Sequence, residues 1–181
     1  MQKTFSSESA LSAFAESLGR SLRSALVSKP LPSPLVFELV GDVGAGKTTF
    51  TRALAKGLGV AEAVTSPSFS ISKRYAFPLS SLKTEQLLSA DKSSEPSPAP
   101  SGILVHYDFY RLDDPGIMSS ELEETLTEEN AVIVVEWADS VASFLPASRI
   151  KISFKILGES ERELSLENFP PSFLSFNKEL V

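Results

Sequence analysis

The segment Gly41-Asp42-Val43-Gly44-Ala45-Gly46-Lys47-Thr48 fits the pattern G-x-x-x-x-G-K-[ST]. It constrains the fold more than any other feature of the chain. The preceding run LVFELV (35–40) is nearly continuous in apolar residues, the mark of a buried parallel strand. From Lys47 to Leu58 the sequence reads as a helix, with Gly57 and Gly59 near its end. A strand, a glycine-rich turn and a helix in that order make an anion cradle. Glycines let successive N–H groups converge and bring the main chain close to phosphate oxygens. The helix start adds the positive end of its dipole. On this reading the loop from Gly41 through Thr49 holds the phosphates of a nucleotide. Lys47 neutralises β- and γ-phosphate charge, and Thr48 places its hydroxyl on Mg²⁺.

The rest of the chain supplies strands and helices that suit such a cradle. Leu11, Phe14, Leu18, Leu22 and Leu26 recur at helical spacing, with Ser6 or Ser7 available as N-cap. FSISKRYAF (69–77), ILVHYDFYRL (103–112) and AVIVVEW (131–137) read as strands. RIKISFKIL (149–157) and ERELSLEN (161–168), joined around Gly158, read as an antiparallel hairpin. The fold expected is α/β: a P-loop NTPase-like sandwich with a mostly parallel central sheet and a C-terminal antiparallel hairpin, its active residues at the carboxyl ends of the strands. One domain over residues 1–181 is expected. The Ser/Pro-rich stretch 78–102 is expected to be an exposed, partly disordered insertion. The apolar tail FPPSFLSFNKELV should pack against something the sequence does not identify.

Composition narrows the function. The net charge of −6 argues against a broad nucleic-acid-binding face. With no cysteine there is no disulfide framework, thiolate metal site or cysteine nucleophile. The N-terminus lacks a signal-peptide hydrophobic block and no apolar run is long enough to span a bilayer, so a cytoplasmic protein is expected.

Four further places carry candidate chemistry. Glu136 closes a buried strand, where a P-loop protein puts its metal-linked carboxylate; the plain alternative is a polar strand end. Trp137 is either core filler or a wall against the nucleotide. His106, Asp108 and Tyr110 alternate, so they are expected on one face of one strand. Asp108 then orients or deprotonates the attacking water, holds a metal-bound water, or is a solvated strand-end acid. His106, the only histidine, is expected in the core or an interface, and Arg111 on the surface. TSPSFS (65–70) is either a γ-phosphate-sensing switch, through Ser66 or Ser68, or a plain turn.

Taken together and in order, GDVGAGKTTFTRALAKGLG, VTSPSF, HYDFYRL and VVEW resemble the TsaE family, P-loop ATPases of tRNA threonylcarbamoyladenosine biosynthesis. The resemblance implies a small α/β ATPase that binds ATP or ADP with Mg²⁺, turns over slowly alone and works with TsaB-like and TsaD-like subunits, meeting tRNA only indirectly. Its hydrolysis would reset the complex, and the TsaD-like subunit would carry out the transfer itself. By position, Lys47 and Thr48 match the family's phosphate and Mg²⁺ ligands, Glu136 its metal-linked acid, Trp137 the adjoining aromatic and Asp108 its functional aspartate. Ser68 stands where the family usually has threonine, 78–102 is an insertion relative to compact members, and IMSSELEETL lacks an expected glycine. A small-molecule or nucleoside kinase and a non-hydrolytic nucleotide-sensing scaffold are the competing readings. An acceptor-dependent rise in ATP use would mark the first, and indifference to loss of Asp108 and Glu136 the second.

Overall fold

A computed structural model describes residues 1–67, 70–79, 101–110, 112, 114 and 116–170. Seven strands form a single sheet in the order β1-β7-β6-β2-β5-β4-β3. They are β1 (Gln2–Phe5), β2 (Leu35–Val40), β3 (Ser72–Pro78), β4 (Ser101–Asp108), β5 (Ala131–Glu136), β6 (Ile150–Ile156) and β7 (Arg162–Glu167). The central four, β6-β2-β5-β4, run parallel, while β3, β7 and β1 close the edges antiparallel. The expected α/β architecture and C-terminal hairpin are both present.

Helix α1 (Glu8–Ser28) starts at Ser7, whose hydroxyl accepts from Ala10 N at 3.1 Å. Its buried stripe, Leu11, Phe14, Leu18, Leu22 and Leu26, follows the sequence spacing and joins one core with Phe37, Leu39, Phe50, Leu54 and Val134. Helix α2 (Lys47–Leu58) lies in the same layer, and the two helices meet through glycines. A Cβ on Gly19 would fall 2.2 Å from Leu54 O, and one on Gly57 would fall 2.1 Å from Glu16 O. Only residues without side chains allow the helices to approach this closely.

A second core lies on the opposite face, where Val36, Val105, Tyr107, Ile133 and Val135 meet Leu122 of α3 (Ile117–Thr125) and Val141 of a short 3-10 helix (Ala138–Val141). Polar contacts also hold α3. Tyr107 Oη lies 2.8 Å from Thr125 Oγ1 and donates to Glu121 at 3.2 Å, Ser72 donates to Glu121 at 2.8 Å, and Arg74 donates to Thr125 at 3.4 Å.

Two expectations need correction. The strand foreseen over 103–112 stops at Asp108, so Tyr110 does not continue the alternation of His106 and Asp108. The carboxylate of Asp108 accepts from Tyr110 N at 3.1 Å, an Asx-type turn that takes the chain off the sheet. The strand foreseen over 69–77 begins instead at Ser72, after a turn in which Ile71 has φ 64°. Strand β1 was not foreseen. The ends of the Ser/Pro-rich stretch, Pro78, Ser101 and Gly102, are strand residues, with Pro78 opposite Ser101. Residues 80–100 between them, the tail from 171 onward, Ser68 and Arg111 lie outside the described residues. No helix among the described residues is long and apolar enough to cross a membrane.

Candidate functional site

The parallel register carries the site. Asp108 is the partner of Glu136 across β4–β5, and Leu39 is the partner of Glu136 across β2–β5. Residues in register on neighbouring strands project to the same side, which here is the side of α1 and α2. The two acids therefore leave adjacent strand ends beside the loop that follows β2. Together with that loop they line a cavity of about 310 Å³, whose wall also includes Lys47, Thr48, Ser66 and Trp137.

The loop takes the conformation that its glycines allow. Gly46 caps α2 at φ 104°, a left-handed geometry that a side chain would strain. Val43, Gly44, Ala45, Gly46 and Thr49 all line the cavity. Gly41 and Asp42 do not; their carbonyls accept from Lys47 Nζ at 2.6 and 2.9 Å. Lys47 is buried and its ammonium sits 4.1 Å from the centre of the Trp137 ring. Burial pulls its pKa below the ordinary lysine value, and the charges of Glu136, Asp108 and Asp42 oppose that shift.

Thr48 donates to Glu136 Oε2 at 3.2 Å. The other oxygen, Oε1, lies 2.9 Å from His106 Nε2 and 3.3 Å from Thr51 Oγ1. His106 is indeed in the core, fully buried, but it is not idle filler, because it contacts one of the candidate site acids. Asp108 accepts from Ser66 Oγ at 2.7 Å, which ties the 65–70 segment to the strand end. Trp137, at φ 56°, turns its ring toward the cavity and packs on Tyr110 with centroids 4.9 Å apart.

Sequence reasoning missed Thr51 and Arg162 here, and it set His106 on the strand face of Asp108 without its contact to Glu136. Thr51 lies one helical turn after Lys47 and Thr48 on α2, a spacing that places it on their face. His106 lies two residues before Asp108 on the same strand face. Arg162, from the hairpin, donates to Gly44 O at 3.2 Å, a tertiary contact that no local pattern announces. Arg162 and Glu8 line a second cavity of about 160 Å³, which shares Gly44, Gly46 and Thr49 with the first.

The comparisons agree with this architecture. The family model for the threonylcarbamoyl adenosine biosynthesis protein TsaE matches residues 5–164. Among curated relatives, the tRNA threonylcarbamoyladenosine biosynthesis protein TsaE of Bacillus subtilis is 35% identical over 136 residues, 72% of this chain and 67% of that protein. Its namesake in Streptomyces coelicolor is 33% identical, over 70% of this chain and 72% of that one. The Treponema pallidum namesake is 30% identical, over 78% and 87%. The crystal structure of Bacillus subtilis YdiB superposes with a TM-score of 0.60 at 25% identity, covering 99% of this chain and 93% of that one. The chain belongs to the TsaE family of threonylcarbamoyl adenosine biosynthesis proteins.

Proposed function

We propose that this chain binds ATP with Mg²⁺ in the loop cavity, hydrolyses it slowly, and thereby supports turnover of an assembly that installs threonylcarbamoyl on the adenosine beside the tRNA anticodon. The observation that carries the reading is convergence: a phosphate-type loop, a buried lysine, a threonine hydroxyl and two strand-end carboxylates line or border one cavity. Backbone N–H groups of the loop and the start of α2 hold the phosphates. Lys47, released from the Gly41 and Asp42 carbonyls, neutralises the terminal phosphates, which replace carbonyl dipoles with full negative charge.

Among the described residues no group of three or more His, Cys, Asp or Glu side chains forms a metal cage. The oxygen donors Thr48 Oγ1 and Glu136 Oε2, 3.2 Å apart at the cavity, suit a Mg²⁺ ion that arrives with the phosphates and keeps several waters. When bound, that ion would be held by Thr48 and Glu136 and would offset negative charge developing on the phosphates. Asp108, held by Ser66 and by its own turn, orients the attacking water. Trp137 walls the cavity, and the second cavity offers the path along which the nucleoside extends.

Among the described residues the loop cavity is lined by one cation, Lys47, and by no arginine. Turnover is accordingly slow alone and is stimulated by TsaB-like and TsaD-like partners, the latter carrying out the transfer. Contact with tRNA is indirect, in keeping with the acidic composition. In a reconstituted modification assay, Lys47→Ala and Glu136→Ala abolish the modified nucleoside. Full activity in both variants overturns the assignment.

A further inference from the structure

The carboxylate of Glu136 is not symmetric. Its Oε1 is engaged by two donors from different elements: the imidazole of His106 on β4, at 2.9 Å, and the hydroxyl of Thr51 on α2, at 3.3 Å. The Thr51 hydroxyl is also 3.1 Å from Lys47 O, so it shares its hydrogen between the carbonyl and the carboxylate. Oε2 meets only the Thr48 hydroxyl among the described residues, on the cavity side. His106 and Thr51 are both fully buried, and Glu136 is 2% exposed. Neither donor lines the cavity, so neither reaches a ligand there.

Because a carboxylate only accepts, the hydrogen of the His106–Glu136 contact belongs to Nε2. This leaves Nδ1, buried and without a partner among the described residues. A histidine kept fully buried with one nitrogen unpartnered gains little from its polarity as core filler. Its single polar contact is with the acid.

We propose that His106 and Thr51 form a two-point clamp on Glu136 Oε1 that aims Oε2 at the Mg²⁺ carried by ATP, making His106 a positioning residue. Outer partners of this kind orient a ligand atom and raise its affinity for the ion, and their loss typically weakens metal binding about 10- to 100-fold. The inference rests on the nucleotide reading above, and the unsubstituted chain separates the failure of one from the failure of the other.

The test is equilibrium binding of ATP to the full chain, in chelator and across a Mg²⁺ titration. The variants are His106→Phe, which keeps ring volume without a donor; His106→Gln, whose amide restores a donor near the Nε2 position; and Thr51→Val. The clamp predicts near-wild-type binding in chelator for all three. The Mg²⁺ concentration for half-maximal enhancement rises about tenfold or more for His106→Phe, less for Thr51→Val, and returns toward the parent value for His106→Gln. A folded His106→Phe variant with the parental Mg²⁺ dependence overturns the clamp. So does an equal loss of binding in chelator, which marks a purely structural role. If His106→Phe does not fold, His106→Gln and Thr51→Val decide: a normal Mg²⁺ requirement in Thr51→Val, or a severe defect in folded His106→Gln, overturns the clamp. Absence of ATP binding by the unsubstituted chain in either medium overturns the nucleotide reading itself.

Discussion

Asp108 and Glu136 are register partners at the ends of adjacent parallel strands, yet their carboxylates are held by different groups. Asp108 is tied to Ser66 and to the backbone of Tyr110, while Glu136 is tied to Thr48, Thr51 and His106. The first set belongs to the loops before β3 and after β4; the second belongs to α2 and the sheet itself. Two acids so close in the fold are therefore expected to fail differently when replaced.

Asp108→Asn keeps the hydrogen-bonding shape and removes the charge. It is expected to lower the rate of ATP hydrolysis about 100-fold with little change in ATP affinity, the effect of losing a group that acts on the attacking water. Glu136→Gln is expected to raise the Mg²⁺ requirement as well as to lower the rate. Steady-state kinetics at several Mg²⁺ concentrations distinguish the two patterns.

The contact between α1 and α2 depends on two glycines. A Cβ on Gly19 or Gly57 would lie within 2.2 Å of a backbone oxygen of the facing helix, and backbone cannot swing aside as a side chain can. Gly19→Ala and Gly57→Ala are each expected to destabilise the fold by about 1–3 kcal/mol or more. Urea unfolding followed by circular dichroism measures this. Because α2 carries Lys47 and Thr48 at its start, the same variants should weaken ATP binding where they remain folded.

Tyr107 fixes α3 to the sheet from a buried position. Burial pushes its phenol up to about 12, from an ordinary value of 10.0, with Glu121 adding to the shift and the Thr125 hydrogen bond opposing it. A phenol whose folded pKa is raised stabilises the fold fully below the unfolded value. That contribution is lost as pH rises from 10 toward 12, since the unfolded chain gives up its proton first. Ultraviolet titration of the chain's three tyrosines should show one ionising about two pH units late. Tyr107→Phe should remove that step and flatten the loss of stability above pH 10.

The sequence disclosed most where local chemistry is distinctive. Gly41 to Thr48 form a pattern with its strand and helix attached, and the apolar run 131–136 ends on Glu136 as a buried strand should. Strand β1 was hidden because it has four residues at a sheet edge, of which only Phe5 is buried. Helix α3 left a weak trace because only Leu122 and Thr125 are buried and much of its attachment is polar, through Tyr107, Ser72 and Arg74. The His106–Glu136 contact was out of reach because it depends on β4 lying beside β5, and thirty residues of chain separate the pair. Tyr110 misled because alternation presumes a strand that continues, whereas Asp108 ends it by capturing the next turn.

On the proposed function, the loop cavity is an ATP site whose turnover needs other subunits. Steady-state ATP hydrolysis by the purified chain, alone and with TsaB-like and TsaD-like partners, is the decisive measurement. Slow turnover alone, a clear rise with both partners present, and loss of that rise in Lys47→Ala are the expected results. Fast turnover that ignores the partners, or partner-stimulated hydrolysis that survives Lys47→Ala, would contradict the proposed function.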